Sequence, residues 1–155
     1  MSEETPNQPQ ITADERRYKH QELTEVIIGV FYEVYNELGF GFLEKIYEEA
    51  MARVLKSKGF EVQQQAAVPV WFRGEKIGSY EADLIVGGKG LIELKACKNL
   101  DSSHEAQLLH YLRSTEIEVG LLFNFGPRPQ VRRFAFDNDR KKICVHLRKS
   151  AATSE

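Results

Sequence analysis

Apolar residues in this 155-residue chain recur every three or four positions up to about residue 58, and every second position soon after. That change of period constrains the fold most. A helix-period stretch cannot bury its apolar side as a strand, and an alternating stretch cannot do so as a helix. Leu23, Val26, Ile27, Val30, Phe31, Val34, Tyr35 and Leu38 form the stripe of an amphipathic helix that begins near Thr12–Asp14 and stops at Gly39 and Gly41. Leu43, Ile46, Tyr47, Ala50, Met51, Val54 and Leu55 form a second stripe, ending before Gly59. Val68, Val70 and Phe72 then alternate, and Arg73-Gly74-Glu75-Lys76 reads as a hairpin turn. The next strand is Ile77–Val86, with Ala82, Leu84 and Val86 expected on one face, and Gly87-Gly88 lead into a strand over Gly90–Cys97.

A helix from about Ser102 to Ser114 follows, capped by Asp101, Ser102 or Ser103. Glu118–Phe125 reads as a central apolar strand, and Val131–Phe136 and Lys142–Leu147 as a closing hairpin. The order fits a single mixed α/β domain, in which the third helix can cross over between parallel strands. The domain is expected over residues 14–149, with flexible tails at 1–13 and 150–155. Cys97 and Cys144 lack any metal-like spacing, so buried, reduced thiols are expected. No basic-then-apolar leader is visible and no run nears the roughly 18 apolar residues of a membrane span. The expectation is a cytoplasmic protein with no membrane partner.

Charge breaks the apolar pattern in one place. Glu93 and Lys95 lie two apart on a strand and share a face, while Ile92, Leu94 and Ala96 take the other. Asp83 stands on the preceding strand between apolar neighbours and is expected to face away from Ala82 and Leu84. Glu and Lys are rarely fully buried unless paired. Two uses are open: a cross-strand ion pair on a solvated face, or a hard-metal site. In the second, Asp83, Glu93 and the Leu94 carbonyl hold Mg²⁺, and Lys95 orients the attacking water or neutralises developing charge. Glu44 stands in the first turn of its helix, where the dipole favours a carboxylate or where it reaches the same metal site. Gln107 and Tyr111 lie at i, i+4 and share a helix face, either as an ordinary helix edge or in contact with a phosphate backbone or Lys95. His104 either caps that helix or approaches a scissile phosphate.

Asp83…Glu93-x-Lys95 after a hairpin, followed by a helix with Gln107-x-x-x-Tyr111, resembles the PD-(D/E)XK nuclease superfamily, and the Gln-x-x-x-Tyr feature is similar to its RecB-like exonuclease branch. Gly41-x-x-Glu44-x-x-Tyr47, with the Glu93-Leu94-Lys95 strand and the Glu105–Leu112 helix, closely resembles the small bacterial group called GxxExxY proteins. The resemblance covers about residues 20–126. It implies a three-layer restriction-endonuclease-like fold, with a mixed central β-sheet flanked by helices, two N-terminal helices and a C-terminal β-hairpin. It also implies a Mg²⁺- or Mn²⁺-dependent phosphodiesterase acting on nucleic acid, with DNA the expected substrate. By it, Asp83 and Glu93 bind metal, Lys95 assists the water, Glu44 is the helix carboxylate completing the site, and Gln107 and Tyr111 are the accessory pair. Ala82 stands where the superfamily's name has Pro, which is not a ligand.

A net charge of −2 argues against a protein that coats nucleic acid non-specifically. It sums two opposed parts, −6 over residues 1–55 and +6 over residues 127–149. The basic part is either a phosphate-tracking hairpin or a solvated edge that deters aggregation. A nuclease-fold module with weak or no catalysis, binding nucleic acid or a protein partner, is the rival reading. A homo-oligomer also remains open.

Overall fold

The computed structural model describes residues 13–141, apart from the side chains of 13–19 and of Arg140. The expected tails (except Ala13), the strand at Lys142–Leu147 and Cys144 lie outside those residues. The elements run α1 (Ala13–Leu38), α2 (Glu44–Ser57), β1 (Val62–Phe72), β2 (Glu75–Val86), β3 (Gly90–Lys95), α3 (Ser102–Ser114), β4 (Val119–Phe125) and β5 (Pro129–Ala135), followed by one 3₁₀ turn at Asn138–Arg140. The strands form one sheet in the order β1-β2-β3-β4-β5. Only β3 and β4 pair in parallel, and α3 makes the crossover that a parallel pair requires. No helix among the described residues is long and apolar enough to cross a membrane.

Helices cover both faces, giving three layers. On one side the stripes of α1 and α2 pack on Leu84, Val86, Ile92, Leu94, Leu121, Phe123 and Phe125. On the other, Leu108 of α3 packs with Ile85, Leu91 and Leu122. Gly120 lets α3 seat on β4, because a Cβ there would meet Leu108 at 3.0 Å and Leu112 at 3.1 Å. β4 is buried along its whole length, as a run that is apolar but for Asn124 requires of an interior strand.

Several boundaries differ from the periodicity, among them the first hairpin, where Phe72 and Glu75 already pair and β2 starts at Glu75. β1 begins at Val62, because its exposed side is polar glutamine and carries no apolar alternation. β3 ends at Lys95, because the buried Asn124 amide takes over the Cys97 backbone: Cys97 N–H donates to Asn124 Oδ1 at 3.0 Å and Asn124 Nδ2 donates to Cys97 O at 2.9 Å. Cys97 is thereby left half-buried and free instead of in the core. β5 starts at Pro129, which an edge strand tolerates at its first residue. Of the basic C-terminal stretch, Lys142, Arg148, Lys149 and the Arg140 side chain lie outside the described residues, and two of the cations within them are already engaged. Lys141 is buried and its ammonium donates to the carbonyls of Thr115 (2.9 Å) and Ile117 (2.7 Å), while Arg132 pairs with Glu105 at 2.7 Å.

Candidate active site

The α1–α2 connection sets the first wall of the site. Gly39 and Gly41 adopt φ of 66° and 116°, a region L side chains rarely enter. The fully buried Tyr47 clamps this loop: its hydroxyl donates to Gly39 O at 2.6 Å and accepts from Phe42 N–H at 3.2 Å. Its ring stacks on Phe125 of β4 at 4.0 Å. The motif tyrosine therefore locks α2 in place. Glu48, beside it, is buried against the sheet, while Glu44, one turn earlier, is exposed.

The second wall comes from an irregularity in β1 and β2. Gln65 has φ of 49°, and the ladder skips from Gln64↔Leu84 to Ala66↔Ala82. Both strands change faces there. Leu84 and Val86 pack on the α1/α2 side, whereas Ala82 packs with Ala66, Val68 and α3. The expectation that Ala82, Leu84 and Val86 share one face is thus corrected, since a left-handed residue breaks the two-residue alternation. β2 also parts from β3 beyond Leu84↔Ile92, and the Asp83 carboxylate takes the place of a ladder carbonyl by accepting from Leu94 N–H at 2.8 Å.

Asp83 therefore sits between two groups of polar side chains. On the α2 side, Gln65 Nε2 donates to Glu48 Oε1 and, at 3.3 Å, to Asp83 Oδ1. Glu44, Glu48, Gln65, Asp83 and Leu94 line a cavity of about 670 Å³ whose mouth carries Phe42, Leu43 and Lys45. On the α3 side, Glu93 Oε1 accepts from Tyr80 O–H and, at 3.4 Å, from Asp83 N–H. Lys95 lies close enough for its charge to favour the Glu93 carboxylate. Tyr111 stacks on Tyr80, and Gln107 Nε2 donates to the Tyr111 hydroxyl at 2.9 Å. The His104 imidazole accepts from Asp101 N–H at 3.3 Å, completing the cap of α3. Asp83, Glu93 and Lys95 are brought together, Glu44 stands at the cavity wall, and His104 is engaged at the helix cap.

Burial, and then the charge of Asp83, push the Glu93 carboxyl up to about 7, against the pull of the Tyr80 bond, the Asp83 N–H and Lys95. Burial and the neighbouring Glu93 charge likewise raise the Tyr80 hydroxyl far above its ordinary value. The sign for stability follows by linkage. A carboxyl raised from 4.5 to about 7 favours the folded state below pH 4.5, and that contribution is lost as pH rises through 7. An NMR titration of the Glu93 carboxyl carbon should give a midpoint near 7, and Asp83→Asn should lower it. A midpoint near 4.5 in the unsubstituted protein would mean that the pair is solvated.

Among the described residues, no three His, Cys, Asp or Glu side chains form a ready-made metal cage. The donors nonetheless suit a hard dication. They are all oxygens, and Asp83 and Glu93 are held together against their own repulsion, which a dication relieves. Glu48, Gln65 and Tyr80 escaped the sequence reading. For Glu48 a signal existed, a carboxylate set into the stripe of Tyr47, Met51, Ala52 and Leu55.

No curated protein matches the chain. Among solved structures, SSO0001 aligns with a TM-score of 0.46 at 22% identity, covering 90% of this chain and 71% of that one. The alkaline exonuclease LHK-Exo of Laribacter hongkongensis aligns with a TM-score of 0.45 at 14% identity, covering 91% and 79%. Its complex with dAMP gives 0.44 at 13% identity, covering 92% and 83%. A family model described as the PD-(D/E)XK nuclease superfamily matches residues 21–134, most of the chain and every element that builds the site. With its charged triplet on β2 and β3 of a three-layer sheet, the chain belongs to the PD-(D/E)XK nuclease superfamily.

Proposed function

We propose that this protein is a divalent-metal-dependent nuclease that hydrolyses phosphodiester bonds in DNA, of the GxxExxY group and the RecB-like branch, with a single nuclease domain over residues 14–149. Nucleases of this superfamily generally use divalent metals. The observation that carries the reading is the juxtaposition of Asp83 and Glu93, two like charges held at the point where β2 leaves β3, with Lys95 alongside. Asp83, Glu93 and the Leu94 carbonyl would hold Mg²⁺ or Mn²⁺. Such an ion, when bound, stabilises charge on a phosphoryl oxygen and lowers the pKa of the attacking water. Lys95 supplies a positioned cation for the charge that develops. Glu44 and Glu48 face the same cavity from α2.

Purified protein should cleave DNA with Mg²⁺ or Mn²⁺ and lose that activity in EDTA. Single- and double-stranded DNA and RNA, compared side by side, identify the substrate form. Glu48→Gln is expected to lower the rate by about 10–100-fold, as loss of a group supporting a metal site does, and by more than Glu44→Gln. The reverse order would make the exposed Glu44 the helix carboxylate of the site.

A second reading has its own observation. Phe40, Phe42, Leu43 and Ile46 are all exposed, and Phe42 and Leu43 line the cavity. Such a patch suits a protein partner or a second copy of the chain, and a catalytically weak module would use it for docking. Mn²⁺-independent association, with no cleavage of any nucleic acid, would favour that reading.

A further inference from the structure

We infer that Tyr80 is a positioning residue that aims the Glu93 carboxylate, and that Tyr111 acts through its ring by holding Tyr80. This rests on the metal-site reading above and goes beyond it, since the sequence pattern assigned Tyr80 no role.

Tyr80 lies on β2 three residues before Asp83, where β2 has already left the β3 ladder. Its hydroxyl nevertheless reaches across to Glu93 Oε1, the oxygen that Asp83 N–H also approaches at 3.4 Å. Two donors on Oε1 turn the other oxygen, Oε2, toward an incoming cation. Backbone pairing to β3 does not hold Tyr80 at this point. Its backbone is held on the other side by pairing with Val68 of β1, and its ring stacks on Tyr111, with centroids 3.4 Å apart and planes 16° apart. Gln107 in turn donates to the Tyr111 hydroxyl at 2.9 Å. Through the Tyr111 ring on Tyr80 and the Tyr80 hydroxyl on Glu93, α3 is coupled to the site. Spacing alone left Gln107 and Tyr111 to contact either a phosphate backbone or Lys95. The geometry directs Tyr111 to Tyr80 and Gln107 to Tyr111. Groups that orient a metal-binding side chain in this way commonly change metal affinity by about 10–100-fold when removed.

Calorimetric titration with Mn²⁺ alone, on the full chain, tests this without reference to cleavage. Tyr80→Phe keeps the ring and its stack and removes only the hydroxyl. It should weaken Mn²⁺ binding by about 10-fold with an unchanged near-UV circular dichroism spectrum. Tyr111→Ala, which removes the stack, should weaken binding comparably, whereas Tyr111→Phe, which keeps it, should bind as the unsubstituted protein does. Wild-type affinity in Tyr80→Phe would overturn the inference. Full affinity in Tyr111→Ala would overturn the part assigned to Tyr111, as would a Tyr111→Phe defect confined to KM for DNA. Unsubstituted protein that takes no Mn²⁺ would overturn the metal reading and this inference with it. Mn²⁺ binding weakened by Tyr80→Phe, in a protein that cuts no DNA, would sustain the inference and overturn the nuclease reading alone.

Discussion

Asp83→Asn is expected to lower Mn²⁺-supported DNA cleavage by about 10³-fold while leaving the fold intact, since it removes charge where charge is needed and little else. The amide oxygen of Asn can still accept from Leu94 N–H, the 2.8 Å bond that ties β2 to β3 at this point. What disappears is one of two like charges held together, and with it the second-largest cause of the raised Glu93 carboxyl. Above pH 7 the variant should therefore be at least as stable as the parent to urea. Loss of activity without loss of stability marks a group kept for chemistry at a cost to the fold. Single-turnover cleavage and equilibrium unfolding on the same preparations check both halves. A parallel fall in stability and activity would make Asp83 a structural cap of the strand and remove it from the site. Lys95→Ala should lose about 10²–10³-fold in rate by removing a positioned cation, yet bind Mn²⁺ no more weakly, because Lys95 repels an incoming dication.

Phe123→Ala should cost about 3–5 kcal/mol of stability, enough to unfold an appreciable fraction of a marginally stable domain. Phe123 is fully buried on β4 and lies face to face with Phe31 of α1, with ring centroids 4.5 Å apart and planes 6° apart. Phe31 also meets Phe125 edge-on at 4.8 Å, and Phe125 stacks on Tyr47. These four rings join α1, α2 and β4, so a cavity at Phe123 is bounded by three elements that cannot all close into it. Urea unfolding followed by tryptophan fluorescence measures the loss as a shift of the midpoint at unchanged slope. The exposed Ile77 serves as control, and its change to alanine should stay within about 0.5 kcal/mol. A loss below about 1 kcal/mol at Phe123 would mean that the rings do not carry the helix–sheet contact.

The helices, the interior strand and the charged triplet were legible in the chain because each rests on a regular period or a clear violation of one. Two amphipathic stripes mark α1 and α2, and a largely apolar run marks β4. Asp83, Glu93 and Lys95 stood out because charged side chains interrupt strands whose neighbours are apolar. Glu44 and Glu48 carry the same charge one turn apart on α2, and only the packing shows that Glu48 is buried and Glu44 exposed.

The sequence by itself determined the order of helices and strands over the described residues and the parallel crossover through α3, because local periods encode these, and its charged triplet carried the resemblance to the family. Only the tertiary structure decided how the site is put together. The reversal of faces at Gln65 depends on one residue's positive φ, which its identity does not announce. The bond from Tyr80 to Glu93 and the stack of Tyr111 on Tyr80 join residues far apart in the chain, brought together by the divergence of β2 from β3 and the seating of α3 on the sheet. A charge in a strand can be read one residue at a time. Which groups bond that charge is settled only when three elements meet.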